Sequence, residues 1–142
     1  NKIIAQRPKD IKGRPFNSAT PRPLDKIIKV DYYIHGCPVY LPEVVEVFKA
    51  VLLGKRYAPP NYPVCLECKM NENVCVYDKG QNCLGPLTRA GCNCWCVNNG
   101  NICYGCRGYV DNPAQDAQED ILRKYGLSAE EIKRRFSLYG QG

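Results

Sequence analysis

The apolar residues of the chain mark one helix clearly. Between Pro42 and Gly54 they follow the i, i+3, i+4, i+7 and i+8 spacing of a single helix face, at Val44, Val47, Phe48, Val51 and Leu52. Proline suits the first turn of a helix, and glycine suits the position just past its end. The pattern therefore predicts a helix between these two residues. Its apolar face is expected to pack against a neighbouring element, most simply the segment that precedes it.

The preceding segment has the composition of a strand. Residues 26–34 are mostly β-branched or aromatic, which is typical of β-structure. They run directly into His35-Gly36-Cys37-Pro38. A glycine after a strand permits a tight turn and lets the backbone approach a ligand closely. We therefore expect Cys37 to be presented at the end of a strand.

Two further helices are predicted towards the C-terminus. The first covers 113–125, with Asp111 or Asn112 as its cap. Ser128 and Glu131 have the spacing of a capping box, which opens a second helix that runs to about residue 138. The apolar face of this second helix is modest. Both helices are expected to brace the rest of the domain.

A cysteine-rich segment lies between these helical regions and holds nine of the ten cysteines. It begins and ends with C-x-x-C, and turn-forming Asn, Asp, Gly and Pro residues separate its cysteines. The cysteines stand at Cys65, Cys68, Cys75, Cys83, Cys92, Cys94, Cys96, Cys103 and Cys106. The segment lacks the apolar periodicity of a conventional core, so we expect a bound group to hold its sulfurs together.

The net positive charge of the chain is concentrated near its start. The total is +6, and residues 1–29 carry eight basic and two acidic side chains, so the remainder is neutral. Four prolines there disfavour a helix and favour an extended arm. Three interpretations remain open: a solvated tail or the edge of a further domain, a segment lying along an acidic protein partner, or a nucleic-acid contact without supporting aromatic residues.

The hydropathy of the chain and its first residues add three expectations. No run approaches about 18 apolar residues, so no transmembrane helix is predicted. No signal peptide stands at the start. The chain begins with Asn rather than Met, and we expect a processed or truncated piece of something longer.

Three chemistries could organise the cysteines. Disulfides need an oxidising compartment, and the single-residue gaps between positions 92, 94 and 96 suit them poorly. Structural zinc needs four ligands per ion, and the two C-x-x-C pairs could build two such sites. Iron–sulfur clusters need four thiolates per cubane, often beside Gly and Pro, as at Gly36, Gly85 and Gly105. The spacing favours iron–sulfur clusters over zinc, and zinc stays open.

Four motifs together resemble a known family. They are Tyr-Tyr-Ile-His-Gly36-Cys37-Pro38, Pro63-Val-Cys65-Leu-Glu-Cys68, the stretch from Cys83-Leu-Gly-Pro to Ala-Gly-Cys92, and Cys103-Tyr-Gly-Cys106-Arg107-Gly108. Their order and spacing resemble the C-terminal half of the small, electron-transferring subunit of nickel–iron hydrogenases. They look most like the cytosolic, multimeric group that includes the sulfhydrogenases of hyperthermophiles and the hydrogenases of methanogens. The resemblance covers roughly residues 22–142.

The resemblance implies a cluster assignment for the cysteines. Cys37 matches a ligand of the proximal 4Fe–4S cluster, the one nearest the nickel–iron centre. The ligands of the distal cluster match Cys65, Cys68, Cys75 and Cys83. Those of the medial cluster match Cys92, Cys96, Cys103 and Cys106. Many relatives have histidine where Cys65 stands, and the presence of Cys96 implies a 4Fe–4S rather than a 3Fe–4S medial cluster.

For several residues near the implied clusters, two interpretations remain open. Cys94 could replace Cys96 after a change of register, or it is a buried free thiol beside Trp95. His35 either tunes a cluster potential or is a packing or surface residue. Trp95 and Tyr104 either shield the medial cluster from water or fill a small fold.

The resemblance also implies an architecture. The family has an N-terminal flavodoxin-like half with the other proximal ligands, and this chain lacks it, so two clusters are expected here and a third is shared or incomplete. The implied fold is α+β and loop-rich. Its parts are a basic, proline-containing arm (1–24), a strand, Gly-Cys-Pro turn and helix left from the flavodoxin-like half (25–60), a two-cluster iron–sulfur domain (61–112) and C-terminal helices (113–142).

The implied function is electron relay within an oxidoreductase. Hydrogen is split in a partner large subunit, which holds the catalytic centre, and no catalytic residue lies on this chain. Electrons pass through the clusters to an acceptor subunit, a flavoprotein or an iron–sulfur protein. The resemblance implies a cytoplasmic, heteromeric complex without nucleic acid and without a membrane span. The alternatives are a zinc-stabilised nucleic-acid-binding module and a stand-alone, two-cluster, ferredoxin-like carrier.

Overall fold

The computed structural model of the protein describes residues 24–139. Its contacts divide the chain into two units, Asn1–Tyr33 and Ile34–Gly142. In the first unit the described part begins with a 3-10 helix, Leu24–Lys26, and continues as irregular chain to residue 33. The hydroxyl of Tyr33 donates to Asp25 Oδ2 at 3.3 Å. The predicted basic arm lies, apart from its last residue, outside the described residues.

The predicted strand over 26–34 is wrong. These residues form no strand, and Ile27, Ile28 and Tyr33 are exposed. β-Branched and aromatic residues favour a strand only where a neighbouring strand offers backbone bonds and a half-buried surface. Within residues 24–139 no strand pairs with this segment, and the β-structure there consists of two isolated bridges, Pro63–Arg89 and Thr88–Tyr109. The α+β fold class as a whole stays a prediction.

The first long helix, α1, spans Leu41–Leu52 and confirms the predicted helix. The prediction of its buried face is wrong in most positions. Glu43 and Val47, one turn apart, are its buried residues, whereas Phe48 and Leu52 are 61% and 83% exposed. The reason is that Glu43 is held inward by an ion pair with Arg107, and this contact sets the rotation of the helix.

Short helices and turns build the cysteine-rich segment. Helix α2 spans Val64–Met70, a 3-10 helix spans Val76–Lys79, and α3 spans Trp95–Asn98. Cysteine supplies much of the core that they surround, which consists of Val64, Val76, Cys83, Cys94 and Cys103. The lack of a conventional apolar core in this segment agrees with its lack of apolar periodicity.

The two C-terminal helices brace the cysteine-rich segment. Helix α4 spans Gln115–Lys124 and α5 spans Ala129–Ser137. Leu122 of α4 and Ile132 of α5 are buried against each other and against Leu84, which immediately follows Cys83 in the chain. Both helices therefore form where the sequence predicts them, and they hold the backbone beside one of the cysteines.

One of the two predicted helix caps is confirmed. Ser128 Oγ accepts from the Glu131 N–H at 3.3 Å, and the Glu131 carboxylate accepts from the Ser128 N–H at 2.9 Å, which is the predicted capping box. The predicted cap of α4 by Asp111 or Asn112 is wrong, because α4 begins after Ala114 without a side-chain cap. Among residues 24–139, no helix combines the length and the apolar character needed to cross a bilayer.

Candidate metal centre

Five cysteines line one cavity of about 120 Å³, and the last of them in the chain is Cys103. Cys65 and Cys68 lie one turn apart on α2, so both face the same side of that helix. Cys75 immediately precedes the 3-10 helix, and Cys83 follows that helix. The structure thus brings together the four cysteines that the resemblance groups as distal-cluster ligands. The other lining residues are mainly apolar: Val64, Val76, Tyr77, Gly85, Pro86, Val97 and Cys103.

Burial and neighbouring thiols make two of these cysteines harder to ionise. Burial, followed by the charges of Cys83, Cys68 and Cys75, raises the pKa of Cys65 to about 11. Burial also raises the pKa of Cys68, and the charges of Cys75 and Cys83 act in the same direction. Four thiolates in one poorly solvated cavity require positive charge to hold them together. Metal binding supplies that charge and releases the protons.

Backbone donors converge on one of the sulfurs. The N–H of Gly85 donates to Cys83 Sγ at 3.3 Å, and the N–H of Cys103 donates to the same sulfur at 3.4 Å. A Cβ added to Gly85 would stand 3.3 Å from both Cys65 Sγ and Cys83 Sγ. Glycine at position 85 therefore lets the backbone approach two sulfurs more closely than a residue with a Cβ would without displacing them. Such amide donors to sulfur are one of the means by which proteins set iron–sulfur potentials.

The carbonyl oxygen of Cys83 is held in place by two hydrogen bonds. Tyr77 donates its hydroxyl proton to this oxygen at 2.5 Å, and Gln118 Nε2 donates to it at 2.8 Å. Tyr125, the residue that follows α4, donates to the carbonyl of Tyr77 at 2.9 Å, and the two rings are tilted against each other with centroids 5.0 Å apart. Helix α4 therefore secures one wall of the cavity.

The donor set fits a cluster of several irons. Within residues 24–139, no group of three Cys, His, Asp or Glu side chains is placed to hold a single metal ion. Four thiols around one cavity suit a cubane, because each thiolate can bind a different iron. Two amide donors to sulfur and the close approach of Gly85 agree with this fit.

Two of the four cysteines implied for the medial cluster line different cavities. Cys103 lines the cavity just described. Cys92 lines a separate apolar cavity of about 310 Å³ together with Trp95 and residues 38–42. Burial, followed by the charge of Glu67, raises the pKa of Cys92 to about 11.

Cys37 lies near two of the cysteines implied for another cluster. Burial raises the pKa of Cys96, and the charges of Cys106 and Cys37 raise it further. Burial likewise raises the pKa of Tyr139, followed by the charges of Cys37 and Cys106. The sequence carries no signal for this proximity, because Cys37 is far along the chain from both of its neighbours.

Cys94 occupies a network of asparagines. Asn71 Nδ2 and Asn73 Nδ2 donate to its Sγ at 3.2 and 3.4 Å, and the thiol donates to Asn98 Oδ1 at 2.9 Å. Its backbone N–H donates to Glu67 Oε2 at 3.0 Å. The burial of Cys94 agrees with the interpretation of a buried thiol. The sequence pattern indicates these asparagines only as turn formers and gives no sign of this role.

A buried arginine connects the Gly-Cys-Pro turn to the cysteine-rich segment. Arg107 forms a two-pronged ion pair with Glu43, with Nη2 2.6 Å from Oε1 and Nη1 bonded to Oε2. The same guanidinium donates to the carbonyls of His35 and Ala90, each at 2.8 Å. The hydroxyl of Tyr57 donates to Glu43 Oε1 at 3.0 Å. We call the Glu43–Arg107 pair, with the two carbonyls that Arg107 binds, the joint. It was missed because a pattern of apolar positions gives no sign of a buried ion pair.

Comparisons with known proteins identify relatives of the chain. No family model matches it. It is 39% identical over 129 residues to the delta subunit of sulfhydrogenase 2 from Pyrococcus furiosus, which covers 89% of this chain and 54% of that protein. It is 32% identical over 137 residues to a vhu subunit of the F420-non-reducing hydrogenase from Methanocaldococcus jannaschii, covering 82% of this chain and 48% of that protein. The chain is homologous to hydrogenase subunits.

The name of a third relative describes it as an iron-sulfur subunit. The iron-sulfur subunit of the F420-non-reducing hydrogenase from Archaeoglobus profundus is 30% identical over 125 residues, which is 67% of this chain and 38% of that protein. The chain spans about half the length of the curated relatives it matches. The resemblance to hydrogenase subunits that the cysteine motifs indicate is thereby confirmed at that level.

Proposed function

We propose that the chain acts in the small, electron-transferring subunit of a nickel–iron hydrogenase and carries 4Fe–4S clusters. The observation that carries this proposal is the cavity surrounded by Cys65, Cys68, Cys75 and Cys83. The similarity to hydrogenase subunits also supports it, because the similarity extends over most of the chain and far beyond these four residues.

The residues around this cavity have separate tasks. The four thiolates would hold the cluster, which accepts and releases one electron when bound. The N–H groups of Gly85 and Cys103 donate to Cys83 Sγ, and such donors favour the more negative, reduced state. Val76 and Val97 line the cavity with apolar surface and keep water from the sulfurs. The lining contains no carboxylate or histidine, so these residues suit electron transfer rather than proton transfer.

A second group of cysteines is proposed for the neighbouring clusters. Cys92, Cys96, Cys103 and Cys106 would hold the medial cluster. Cys37 would contribute one ligand to the proximal cluster, whose other ligands come from outside this chain. The nearness of Cys37 to Cys96 and Cys106 supports placing these two sites side by side.

The rest of the complex follows from this assignment. Hydrogen would be split in a large partner subunit, and a flavoprotein or iron–sulfur subunit would accept the electrons. Because the cluster ligands must be thiolates rather than disulfides, we place the complex in a reducing compartment, the cytoplasm.

The first test is the metal content of anaerobically purified protein. Two cubanes on this chain predict about eight irons and eight acid-labile sulfides, and about twelve irons indicate that a partner completes the proximal site. Electron paramagnetic resonance after reduction should show interacting clusters. Stoichiometric zinc without sulfide would contradict the proposal and favour the zinc-stabilised module. Iron without any co-purifying large subunit would favour the stand-alone carrier.

Paired cysteine variants sharpen this test. Cys75→Ala removes a proposed ligand and is expected to lower the iron content by about four per chain. Cys94→Ala is the comparison variant, since Cys94 hydrogen-bonds asparagines and Cys68 but does not line the cavity. Loss of iron from Cys94→Ala together with full retention by Cys96→Ala would instead support the change of register.

A further inference from the structure

One side chain bonds the backbone close to two cysteines and belongs to the residue that follows a third. Arg107 immediately follows Cys106 in the chain. Its guanidinium donates to the carbonyl of His35, two residues before Cys37, and to that of Ala90, two residues before Cys92. The Gly-Cys-Pro turn and both arms of the cysteine-rich segment therefore meet at a single planar group.

The surroundings of this group allow it one position. The side chains of Arg107 and Glu43 are only 2% and 6% exposed. Tyr57 donates to Glu43 and so orients the carboxylate. A Cβ at Gly91 would collide with the guanidinium, so glycine leaves the space that the arginine fills. A guanidinium presents its donors in fixed directions, whereas a lysine ammonium does not.

The burial of these charges points to a geometric role. Replacing a buried ion pair by apolar side chains of similar volume is often neutral or stabilising, so the pair is poorly explained by stability alone. Its specific property is that it joins three chain segments at defined distances. Both of the backbone carbonyls that it binds lie next to cysteines proposed as cluster ligands.

We propose that the Glu43–Arg107 pair is a positioning device that holds Cys37 at a fixed separation from Cys92 and Cys106. It rests on the proposed function, because this separation sets the distance that an electron crosses between the proximal and medial clusters. Arg107 touches neither cluster directly in this role and acts through the backbone that carries the ligands.

The decisive variant removes the joint without leaving a buried charge. The double variant Glu43→Met, Arg107→Met replaces the ion pair by two apolar side chains of similar volume. It leaves no unpaired charge in the interior, so the protein is expected to fold. Arg107→Lys keeps the charge but loses the fork that reaches both carbonyls. The matched control is Arg89→Met, because Arg89 bonds the chain at Pro60, Asn61, Tyr109 and Asp111.

The measurement is made on the complete anaerobically purified complex. Iron content is determined first, and the magnetic interaction between the reduced clusters is then recorded by electron paramagnetic resonance, since this interaction depends on their separation. We expect the double variant to keep its iron and lose the wild-type proximal–medial interaction. Arg107→Lys should weaken the interaction, and Arg89→Met should retain it. A wild-type interaction in the iron-loaded double variant would overturn the positioning role.

A second readout separates this role from the proposed function. If the wild-type complex holds no iron, the proposed function fails, and the joint is tested by cross-linking Cys37 to Cys106 with a short dimaleimide. A link that forms in wild type and in Arg89→Met but is lost in the double variant supports the positioning role. Equal yields in all three proteins would overturn it.

Discussion

Replacing Gly85 with alanine tests the candidate metal centre directly. The backbone of Gly85 does not lie in the left-handed region, so alanine fits its conformation. The added Cβ would stand 3.3 Å from Cys65 Sγ and from Cys83 Sγ, and 3.8 Å from Cys103 Cβ. Carbon contacts are most favourable at about 3.5–4.0 Å, so both sulfurs would have to retreat by a few tenths of an ångström.

The expected cost depends on whether the sulfurs can move. Free thiols can rotate away at little cost, whereas sulfurs bound to iron are held on their other side. Over-packing of this kind costs about 1–3 kcal/mol. If this cost destabilises only the cluster-bound state, the affinity for the cluster drops on the order of tenfold to a hundredfold. Gly85→Ala is therefore expected to reduce metal retention more than it reduces the stability of the metal-free chain.

The assay is the loss of iron to a competing chelator under anaerobic conditions, followed by the visible absorbance of the cluster. Gly80→Ala is the matched control in the same segment. Gly80 has φ 72° and open space around its Cβ position, so alanine there costs about 1 kcal/mol through the backbone and leaves the sulfurs untouched. Iron retention by Gly85→Ala equal to that of wild type would refute the close-approach reasoning.

Four further changes have defined outcomes. Arg107→Met leaves Glu43 buried and unpaired, and should lower the free energy of unfolding by about 3–5 kcal/mol in urea titrations. Replacing Glu43 as well removes the unpaired carboxylate and should restore most of this stability. Ser128→Ala removes the N-cap of α5 and should cost about 1 kcal/mol. Hydrogen bonds from Ser128 lower the pKa of Glu131, so the support that the Glu131 carboxylate gives this cap is present above pH 4.5 and is lost as the pH falls through the lowered pKa; circular dichroism of the wild type against Glu131→Gln should show the difference vanish in acid. Leu122→Ala opens a cavity between the C-terminal helices and should cost about 2–5 kcal/mol by thermal unfolding, and an unchanged midpoint would contradict the packing described.

Local signals predicted the helices well. The capping box at Ser128 depends on residues three apart, and the bounds of α1 depend on a proline and a glycine at its own ends. The grouping of Cys65 with Cys68 follows from their spacing on one helix turn. Such features need no knowledge of distant parts of the chain, so a single sequence contains them.

Features that depend on distant residues could not be predicted in this way. The strand over 26–34 has suitable residues, but strand formation depends on a pairing partner, which the described residues do not provide. The apolar stripe of α1 suggested the wrong buried face because Arg107, far along the chain, fixes Glu43 inward. The same joint lies beside Cys37, whose nearness to Cys96 and Cys106 had no local signal.

The buried Glu43–Arg107 pair also gives the joint a particular response to temperature. Hydration of charged groups becomes less favourable on heating, so the penalty for burying them falls as the temperature rises. Apolar packing gains no comparable advantage per unit of area. We therefore expect this joint to strengthen on warming relative to the apolar contacts around it. Cold, rather than moderate heat, is the condition under which the Gly-Cys-Pro turn is least firmly held.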